Sequence, residues 1–314
     1  MKKLFNLFGL IVGISFFIGF LLLACQQKEE QPEAKIDTKA IETEVNKALE
    51  DALSKRSVNT RMDLVKESAL EKIIKRGELL VGLEAGYQPF EMQDDKGNIV
   101  GFDVDMAYEM GKGIFGEGGE KKVKLINTAW EGIIPALMTE KFDIIMSGMT
   151  ILQSRNLKVN FCEPYYYIGQ CLLINKKDAG KYKSYKDLNK KGVIVTSKLG
   201  VTGAFTAEKL MPNADLRLFK TEGEGALQVA NGVADAFIYD EPQVRVFAAK
   251  YKDTTVGLFD PITYEPLAWA IQKGDPDFLN WLNNFLRQVR GDGRWDQFKQ
   301  KWFVDYLAEL AKQQ

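Results

Sequence analysis

Histidine is absent from the sequence, which has 314 residues. Without imidazole, the chain has no Ser-His-Asp or Cys-His nucleophilic site, no HExxH metal site and little of the usual acid–base chemistry. Cysteine is also scarce, because Cys25, Cys162 and Cys171 are too few for a four-thiolate zinc site. We therefore expect no metal site and no cofactor.

The sequence also lacks an excess of positive or of negative charge. Lys and Arg together number 42, and Asp and Glu number 43, so the composition lacks the basic excess that is typical of nucleic-acid binding. A hydrophobic content of 46% and a charged content of 27% are typical of a globular protein. The length is enough for about two domains of ordinary size.

One long apolar run lies at the N-terminus. Lys2 and Lys3 precede residues 7–24, which are apolar apart from glycine and one serine, a length between a signal-peptide core and a short transmembrane helix. The run ends in Leu-Leu-Ala-Cys, which resembles the lipobox of bacterial lipoproteins and implies that Cys25 is lipidated. Residues 1–25 are then a signal peptide, and the protein is an extracytoplasmic lipoprotein. An uncleaved membrane anchor is the alternative.

Residues 26–66 form a charged segment, which we call the stalk. Apolar residues from Ile36 to Leu53 recur at helical spacing, so part of it is predicted to be helical. Because the apolar stripe is thin and rich in alanine, we interpret the stalk as a semi-rigid spacer. A coiled coil for a partner is the alternative, although it has fewer than three clean heptads.

From Glu67 onwards, short strands alternate with helices. The predicted strands are 79–83, 123–126, 142–146, 171–174, 193–195, 216–219 and 236–238, and the predicted helices are 104–112, 131–138, 203–210, 223–230 and 243–251. Two further helices and a strand are predicted within 267–303, and a glycine-rich insertion over 113–119. This alternation predicts α/β sheets with ligand sites at the carboxyl ends of strands.

One such strand end carries an unusual loop. Ser147, Gly148 and Thr150 follow the predicted strand 142–146, and a lone cation, Arg155, comes shortly after them. A turn alone requires only glycine, whereas ligands are usually held at this edge of a sheet. A surface arginine at the start of a helix is the alternative interpretation.

Several motifs, taken together, resemble the family 3 extracellular solute-binding proteins, which are amino-acid-binding receptors of bacterial ABC importers. The resemblance covers residues 70–305, and its order and spacing make it specific. The motifs are YQPFE (87–91), GFDVD (101–105), WEGIIPAL (130–137), FDIIMSGMT (142–150), FCEPYY (161–166), DAFIYDEP (235–242) and KWF (301–303).

The resemblance implies a two-lobed, periplasmic-binding-protein-like fold of type II, which closes on its ligand. Each lobe is an α/β unit with a mixed sheet, and two hinge strands join them. The first lobe is expected to comprise 67–167 plus 268–314, and the second 170–264. The hinge is expected near 166–171 and 264–268, and the protein is expected to be a monomer.

The resemblance also implies a site for an α-amino acid. Arg155 is expected to clamp the ligand carboxylate, since a guanidinium makes two parallel hydrogen bonds to it. The amide and hydroxyl of Thr150 assist, and Thr202 opens a helix whose free N–H groups face the same carboxylate. Asp240 is expected to accept from the ligand ammonium, together with the Gly148 carbonyl.

Four more residues are assigned to the ligand side chain. The positions of Tyr87 and Trp130 match those where relatives stack rings on the ligand. Glu84 and Lys198 match an acid and a lysine of glutamine-binding relatives, and together they suit a carboxamide. We therefore expect glutamine as the ligand, with arginine or lysine second if Lys198 pairs with Glu84 or Glu241 and turns away.

Simpler structural roles compete with these assignments. Asp240 could be a helix N-cap, and Asp103 is expected to be one. Lys198 and Glu84 could form a rim salt bridge of small value. Where the family has threonine this chain has Leu152, which leaves the start of the following helix in question.

The expected function is that of a non-catalytic receptor that delivers a polar amino acid to an ABC permease and its ATPase. One alternative is a cyclohexadienyl dehydratase on the same scaffold, with Glu84 or Glu241 as general acid. Another is the ligand-sensing lobe of a receptor. Cys162 and Cys171 flank the expected hinge, as a disulfide or as buried thiols.

Overall fold

The computed structural model describes residues 43–51 and 67–312. Residues 43–51 form a helix whose side chains, including those of Val45 and Leu49, are exposed. Cys25, the apolar run that precedes it and the remainder of the stalk lie outside the described residues. Within the described part of the chain, no helix has the length and apolarity to cross a membrane.

The first sheet has the strand order β4-β1-β5-β14-β6. Strands β1, β4 and β5 are parallel, and β14 runs antiparallel to both β5 and β6. The apolar sequence of β1 is buried, as expected for a strand with both faces covered. The bounds are β1 Leu79–Leu83, β4 Val123–Asn127, β5 Ile144–Ile145, β6 Asn160–Phe161 and β14 Ala270–Ile271.

Short helices accompany this sheet. Their bounds are α1 Ala69–Arg76, α2 Phe102–Phe115, α3 Trp130–Met138 and α4 Gln153–Asn156. Ser68 caps α1 by accepting a hydrogen bond from the Leu70 N–H, and Gly77 ends it in the left-handed conformation. Asp94 and Gly97 turn the chain between the antiparallel strands β2 Met92–Gln93 and β3 Ile99–Val100.

The second sheet has the strand order β10-β9-β11-β8-β12. Strand β9 is parallel to β10 and β11, and β8 is antiparallel to β11 and β12. Every residue of β8 and β11 is buried, so these two strands form its core. The bounds are β8 Gln170–Asn175, β9 Ile194–Lys198, β10 Asp215–Phe219, β11 Ala236–Asp240 and β12 Thr255–Leu258.

Helices α5 to α8 follow strands of the second sheet. The bounds are α5 Tyr185–Leu188, α6 Thr202–Leu210, α7 Glu222–Ala230 and α8 Glu241–Lys250. Helices α6 and α7 both contact β8, β9, β10 and β11. Thr221 and Glu224 make a capping box at the start of α7, which fixes the position of Glu222.

Two strands carry the chain between the sheets. Strand β7 Tyr166–Ile168 lies between β6 and β8 in the chain, and β13 Glu265–Leu267 lies between β12 and β14. The two strands pair antiparallel, with Tyr167 opposite Pro266. We call the part around the first sheet the first lobe and the part around the second sheet the second lobe.

The chain ends with helices that follow β14. Their bounds are α9 Pro276–Gly291, α10 Arg294–Gln300, a π-helix Lys301–Asp305 and α11 Tyr306–Lys312. The buried face of α9 includes Phe278, Leu282 and Phe285. This face is typical of an amphipathic helix that packs on a core.

Two sequence predictions about the fold are corrected, and one strand was missed. Helix α2 begins at Phe102, so Asp103 lies inside it and does not cap it; the N-cap is Gly101. The backbone of Gly101 has φ +144°, and a Cβ there would lie 2.1 Å from the Phe90 carbonyl oxygen, so only glycine fits. Helix α2 also continues through Phe115, which shortens the predicted glycine-rich insertion. Strand β12 was not predicted.

Cys162 and Cys171 are both free and buried. Burial raises the pKa of each thiol to about 12. A thiol that stays protonated is a poor nucleophile, so both side chains act as small apolar groups.

Candidate functional site

A cavity lies where strands of both sheets end. Glu84 follows β1, Ser147 and Gly148 come soon after β5, Lys198 ends β9 and Asp240 ends β11. All the residues predicted to bind the ligand line this one cavity. The lining consists of Glu84, Tyr87, Trp130, Ser147, Gly148, Thr150, Arg155, Lys198, Val201, Thr202, Tyr239 and Asp240.

Arg155 is a buried cation, 9% exposed, on the short helix α4. Leu152 is the N-cap of α4 and makes no side-chain bond there. The guanidinium donates to the Thr150 carbonyl at 2.9 Å and reaches the Gly200 carbonyl at 3.5 Å. It also lies over the Trp130 ring, 5.1 Å from its centroid.

These partners of Arg155 are uncharged. Within residues 43–51 and 67–312, the ion pairs closer than 4.0 Å do not include Arg155. Burial lowers the pKa of the guanidinium to about 10, and the more distant Asp240 and Glu265 carboxylates oppose that shift. At neutral pH the site therefore presents a charged guanidinium with donors that suit a carboxylate.

Asp240 is the N-cap residue of α8, but its side chain makes no capping bond. Its carboxyl group instead accepts from the Tyr87 hydroxyl and from the Gln170 side-chain amide. Burial, and then the charge of Glu265, raise the pKa of Asp240 to about 7. The N-cap alternative for this side chain is wrong, and the carboxyl group faces the cavity.

Thr150 and Thr202 approach the cavity from opposite lobes. The Thr150 hydroxyl donates to Glu265 at 3.0 Å, so its lone pairs remain available to a donor. Thr202 is the first residue of α6, and Val201 before it provides no side-chain cap. The first N–H groups of α6 therefore have no capping side chain, and such groups favour an anion.

Lys198 is buried between two carboxylates. Its ammonium contacts Glu84 and lies 3.1 Å from Glu222, and the side chain is only 4% exposed. Burial lowers the pKa of Lys198, but Glu222 and Glu84 more than offset this, so the pKa is raised. Two carboxylates and one ammonium leave this corner with one net negative charge.

The predicted aromatic residues also link the two lobes. The Tyr87 ring stacks on Phe90 with centroids 4.8 Å apart, while its hydroxyl reaches Asp240. The Trp130 indole N–H donates to the Gly200 carbonyl at 3.0 Å. Together with the Lys198–Glu84 pair, these contacts join the lobes across the cavity.

Sequence reasoning missed three residues of this network. Gln170 donates to Asp240 and to Thr202, Glu265 accepts from Thr150, and Glu222 contacts Lys198. Glu222 sits in the first turn of α7, where an acid usually needs no explanation beyond the helix dipole. Its partner Lys198 lies 24 residues earlier in the chain, so no local sequence pattern connects the two side chains. Gln170 and Glu265 lie in strands that contain no recognised motif.

Glu241, one of two candidate general acids, pairs with Arg245 one turn later on α8. The other candidate, Glu84, accepts from the Trp130 backbone N–H at 3.2 Å and contacts Lys198. Both candidate carboxyl groups are therefore engaged by basic side chains.

The profile of the bacterial extracellular solute-binding proteins, family 3, matches residues 79–305. The chain belongs to this family, and it is therefore a solute-binding protein that works outside the cytoplasm. The predicted fold class is confirmed, because similar solved structures are binding proteins of this kind and both lobes carry mixed α/β sheets.

Two solved structures and one relative illustrate the likeness. A protein from Wolinella succinogenes, named as a binding component of an ABC transporter and complexed with lysine, is 54% identical. It has a TM-score of 0.69, with 73% of this chain and 97% of that chain covered. The ancestral amino-acid-binding protein AncCDT-1, a precursor of cyclohexadienyl dehydratase, is 45% identical, with a TM-score of 0.70 and coverage of 75% and 100%.

The ABC transporter glutamine-binding protein GlnH of Bacillus subtilis is 28% identical over 310 residues. That alignment covers 98% of this chain and all of GlnH.

Proposed function

We propose that the protein captures a free α-amino acid between its two lobes and delivers it to an ABC permease and its ATPase. The observation that carries this proposal is Arg155, a buried guanidinium whose near partners are carbonyl oxygens. A buried cation is costly without an opposite charge, and a ligand carboxylate supplies one. Asp240 lies in the same cavity with a carboxyl group for the ligand ammonium.

We further propose a basic amino acid, with lysine or arginine ahead of glutamine. The corner formed by Glu84, Glu222 and Lys198 carries one net negative charge, which a cationic side chain neutralises. The lysine complex of the Wolinella succinogenes protein, at 54% identity, supports the same ligand class. Glutamine was the expectation from Glu84 and Lys198 alone, and it ranks second because Glu222 changes the charge balance.

A thermal-shift screen of the protein against the twenty amino acids tests the proposal. A ligand at 100 times its Kd stabilises a protein by about 2.7 kcal/mol, which is a readily measured shift. A larger stabilisation by lysine and arginine than by glutamine is expected. No stabilisation by any amino acid would contradict the proposed function.

An enzymatic role is the second candidate, because AncCDT-1 is a precursor of cyclohexadienyl dehydratase. The ion pairs of Glu84 and Glu241 argue against either as a general acid. Incubation with prephenate decides between the two, since turnover would establish the dehydratase.

We propose that Cys25 is lipidated and anchors the protein to the membrane. Replacing Cys25 by serine is expected to leave an uncleaved precursor without lipid, because the Leu-Leu-Ala-Cys sequence would lose its acceptor thiol. Mass spectrometry of the membrane-bound protein measures both changes. An intact N-terminus on the wild-type protein would instead indicate a plain membrane anchor.

The Lys198→Gln variant tests the charge balance of the cavity. Loss of the ammonium leaves Glu84 at the cavity and Glu222 beside it without their cationic partner, so the affinity for arginine and lysine is expected to rise while that for glutamine falls. Removing one partner of a buried pair also lowers the free energy of unfolding, typically by about 3–5 kcal/mol.

Calorimetry with each ligand measures the effect of Lys198→Gln, and Lys220→Gln, at an exposed site, is the control. Unchanged affinities for both ligand classes in the Lys198→Gln protein would remove this lysine from the site.

A further inference from the structure

A pair of buried carboxyl groups lies behind the loop that carries Ser147 and Gly148. Glu91 and Asp103 have no exposed surface, and neither lines the cavity. The Ser147 hydroxyl donates to Glu91 Oε1 at 2.6 Å and accepts from the Glu84 backbone N–H at 3.0 Å. Glu91 is thus connected through one side chain to the backbone of a cavity residue.

The donors around Asp103 identify it as the charged member of the pair. Its Oδ2 accepts from the Gly148 N–H at 3.1 Å and from the Tyr165 hydroxyl at 2.7 Å. Its Oδ1 accepts from the Trp269 indole N–H at 3.3 Å. Three donors on one buried carboxyl group favour its ionised form.

Glu91 has a different environment. Ser147 donates to Oε1, whereas Oε2 is buried and receives no donor from the described residues. A buried carboxylate oxygen without a donor is costly, but a protonated one becomes a donor itself. Asp103 accepts from Gly148, the residue next to Ser147, so its carboxylate lies beside the same loop and can accept that bond.

We propose that Glu91 is a positioning residue of the amino-acid site, a neutral carboxylic acid that donates to the Asp103 carboxylate so that the pair holds Ser147 and Gly148. The inference rests on the proposed function, because its effect on binding passes through these two residues. Gly148 has φ +52°, and a Cβ there would lie 2.1 Å from the Tyr87 ring, so only glycine fits at this place in the loop.

The electrostatics of the pair agree with this assignment. Burial, and then the neighbouring Asp103, raise the pKa of Glu91 well above its ordinary value. Burial raises the pKa of Asp103 to about 6, against its hydrogen-bond donors. The other titratable groups that face the pair from neighbouring elements are Glu84, Tyr165, Tyr239 and Cys162.

Three variants distinguish the role of Glu91 from that of Asp103, and the Kd of each for L-lysine is measured. Glu91→Leu cannot donate to Asp103, and we expect its Kd to rise by about tenfold or more. Glu91→Gln can donate from its amide nitrogen and accept from Ser147 on its oxygen, and it should rescue the Kd to within about threefold of wild type. Asp103→Asn offers one acceptor oxygen where three donors converge, so it should bind as weakly as Glu91→Leu.

The protonation state is measured directly in the protein without ligand. The ¹³C chemical shift of the Glu91 carboxyl carbon should remain that of a neutral acid from about pH 5 to pH 8, well above the ordinary glutamate pKa of about 4.3. Thermal unfolding of each variant checks that it folds.

Loss of binding by Glu91→Gln equal to that of Asp103→Asn would overturn the inference, as would an ionised Glu91 in the carbon spectrum. The spectrum is informative even if Glu91→Leu does not fold. If the wild-type protein binds no lysine, the basic-ligand proposal fails, while the spectrum still decides the state of Glu91.

Discussion

The Arg155→Ala variant is expected to lose amino-acid binding while it keeps its fold. Removing one partner of a desolvated charge pair typically costs about 2–5 kcal/mol, which raises Kd by roughly 30-fold to several thousandfold. Arg155→Lys is not expected to restore binding, because an ammonium lacks the planar fork that matches a carboxylate. Isothermal titration calorimetry with lysine and arginine measures the loss.

A matched control for Arg155 is available on the surface of the second lobe. Arg217 pairs with Asp215, and the side chains are 45% and 52% exposed. Exposed pairs contribute about 0–1 kcal/mol to stability, so Arg217→Ala should bind as the wild type does. A Kd for Arg155→Ala within about threefold of the wild type would refute the carboxylate clamp.

The Asp240→Asn variant is expected to lose binding and, with it, the pH dependence of binding. The ligand ammonium requires the ionised carboxylate, and burial raises the pKa of Asp240 to about 7. As the pH falls below this value, a growing fraction of Asp240 is protonated, so the affinity of the wild-type protein should fall by up to about tenfold per pH unit. An amide in its place has no charge to lose.

Titrations between about pH 8 and about pH 5 distinguish the outcomes for Asp240→Asn. At the alkaline end Kd should rise by at least roughly 30-fold, as for the loss of a buried charge pair. Asp215→Asn, at the exposed pair, is the control and should follow the wild-type profile. If the Kd of Asp240→Asn rises at low pH as that of the wild type does, a group other than Asp240 is responsible for the pH dependence.

Much of the fold was predictable from local patterns. The apolar run of β1 and the alternation of short strands with helices have signals within a few residues, and the structure has β1 at the predicted place. The start of α2 was missed because it depends on a distant contact, the close approach of Gly101 to the Phe90 carbonyl. Strand β12 exists because it pairs with β8, far away in the chain.

The residues of the site also fall into two groups, those that a local sequence pattern predicts and those whose role depends on contacts distant in the chain. Asp240 belongs to a motif that identifies the family, Arg155 follows another such motif, and Thr202 lies directly before a predicted helix, so all three could be nominated in advance from the resemblance. The role of Glu222 depends on its contact with Lys198, and no sequence periodicity indicates that residues of β9 and α7 lie close together. For that reason the sequence predicted a polar neutral ligand, whereas the proposal of a cationic ligand depends on the assembled charges.

The inner position of β14 in the first sheet determines the order in which the two sheets can be completed as the chain is made. Strand β14 lies between β5 and β6, so the first sheet lacks an inner strand until Ala270 and Ile271 are present. All strands of the second sheet fall within residues 170–258 and follow one another without interruption by the other lobe. When the chain is synthesised from its N-terminus, every strand of the second sheet is therefore present before β14 appears and completes the first sheet.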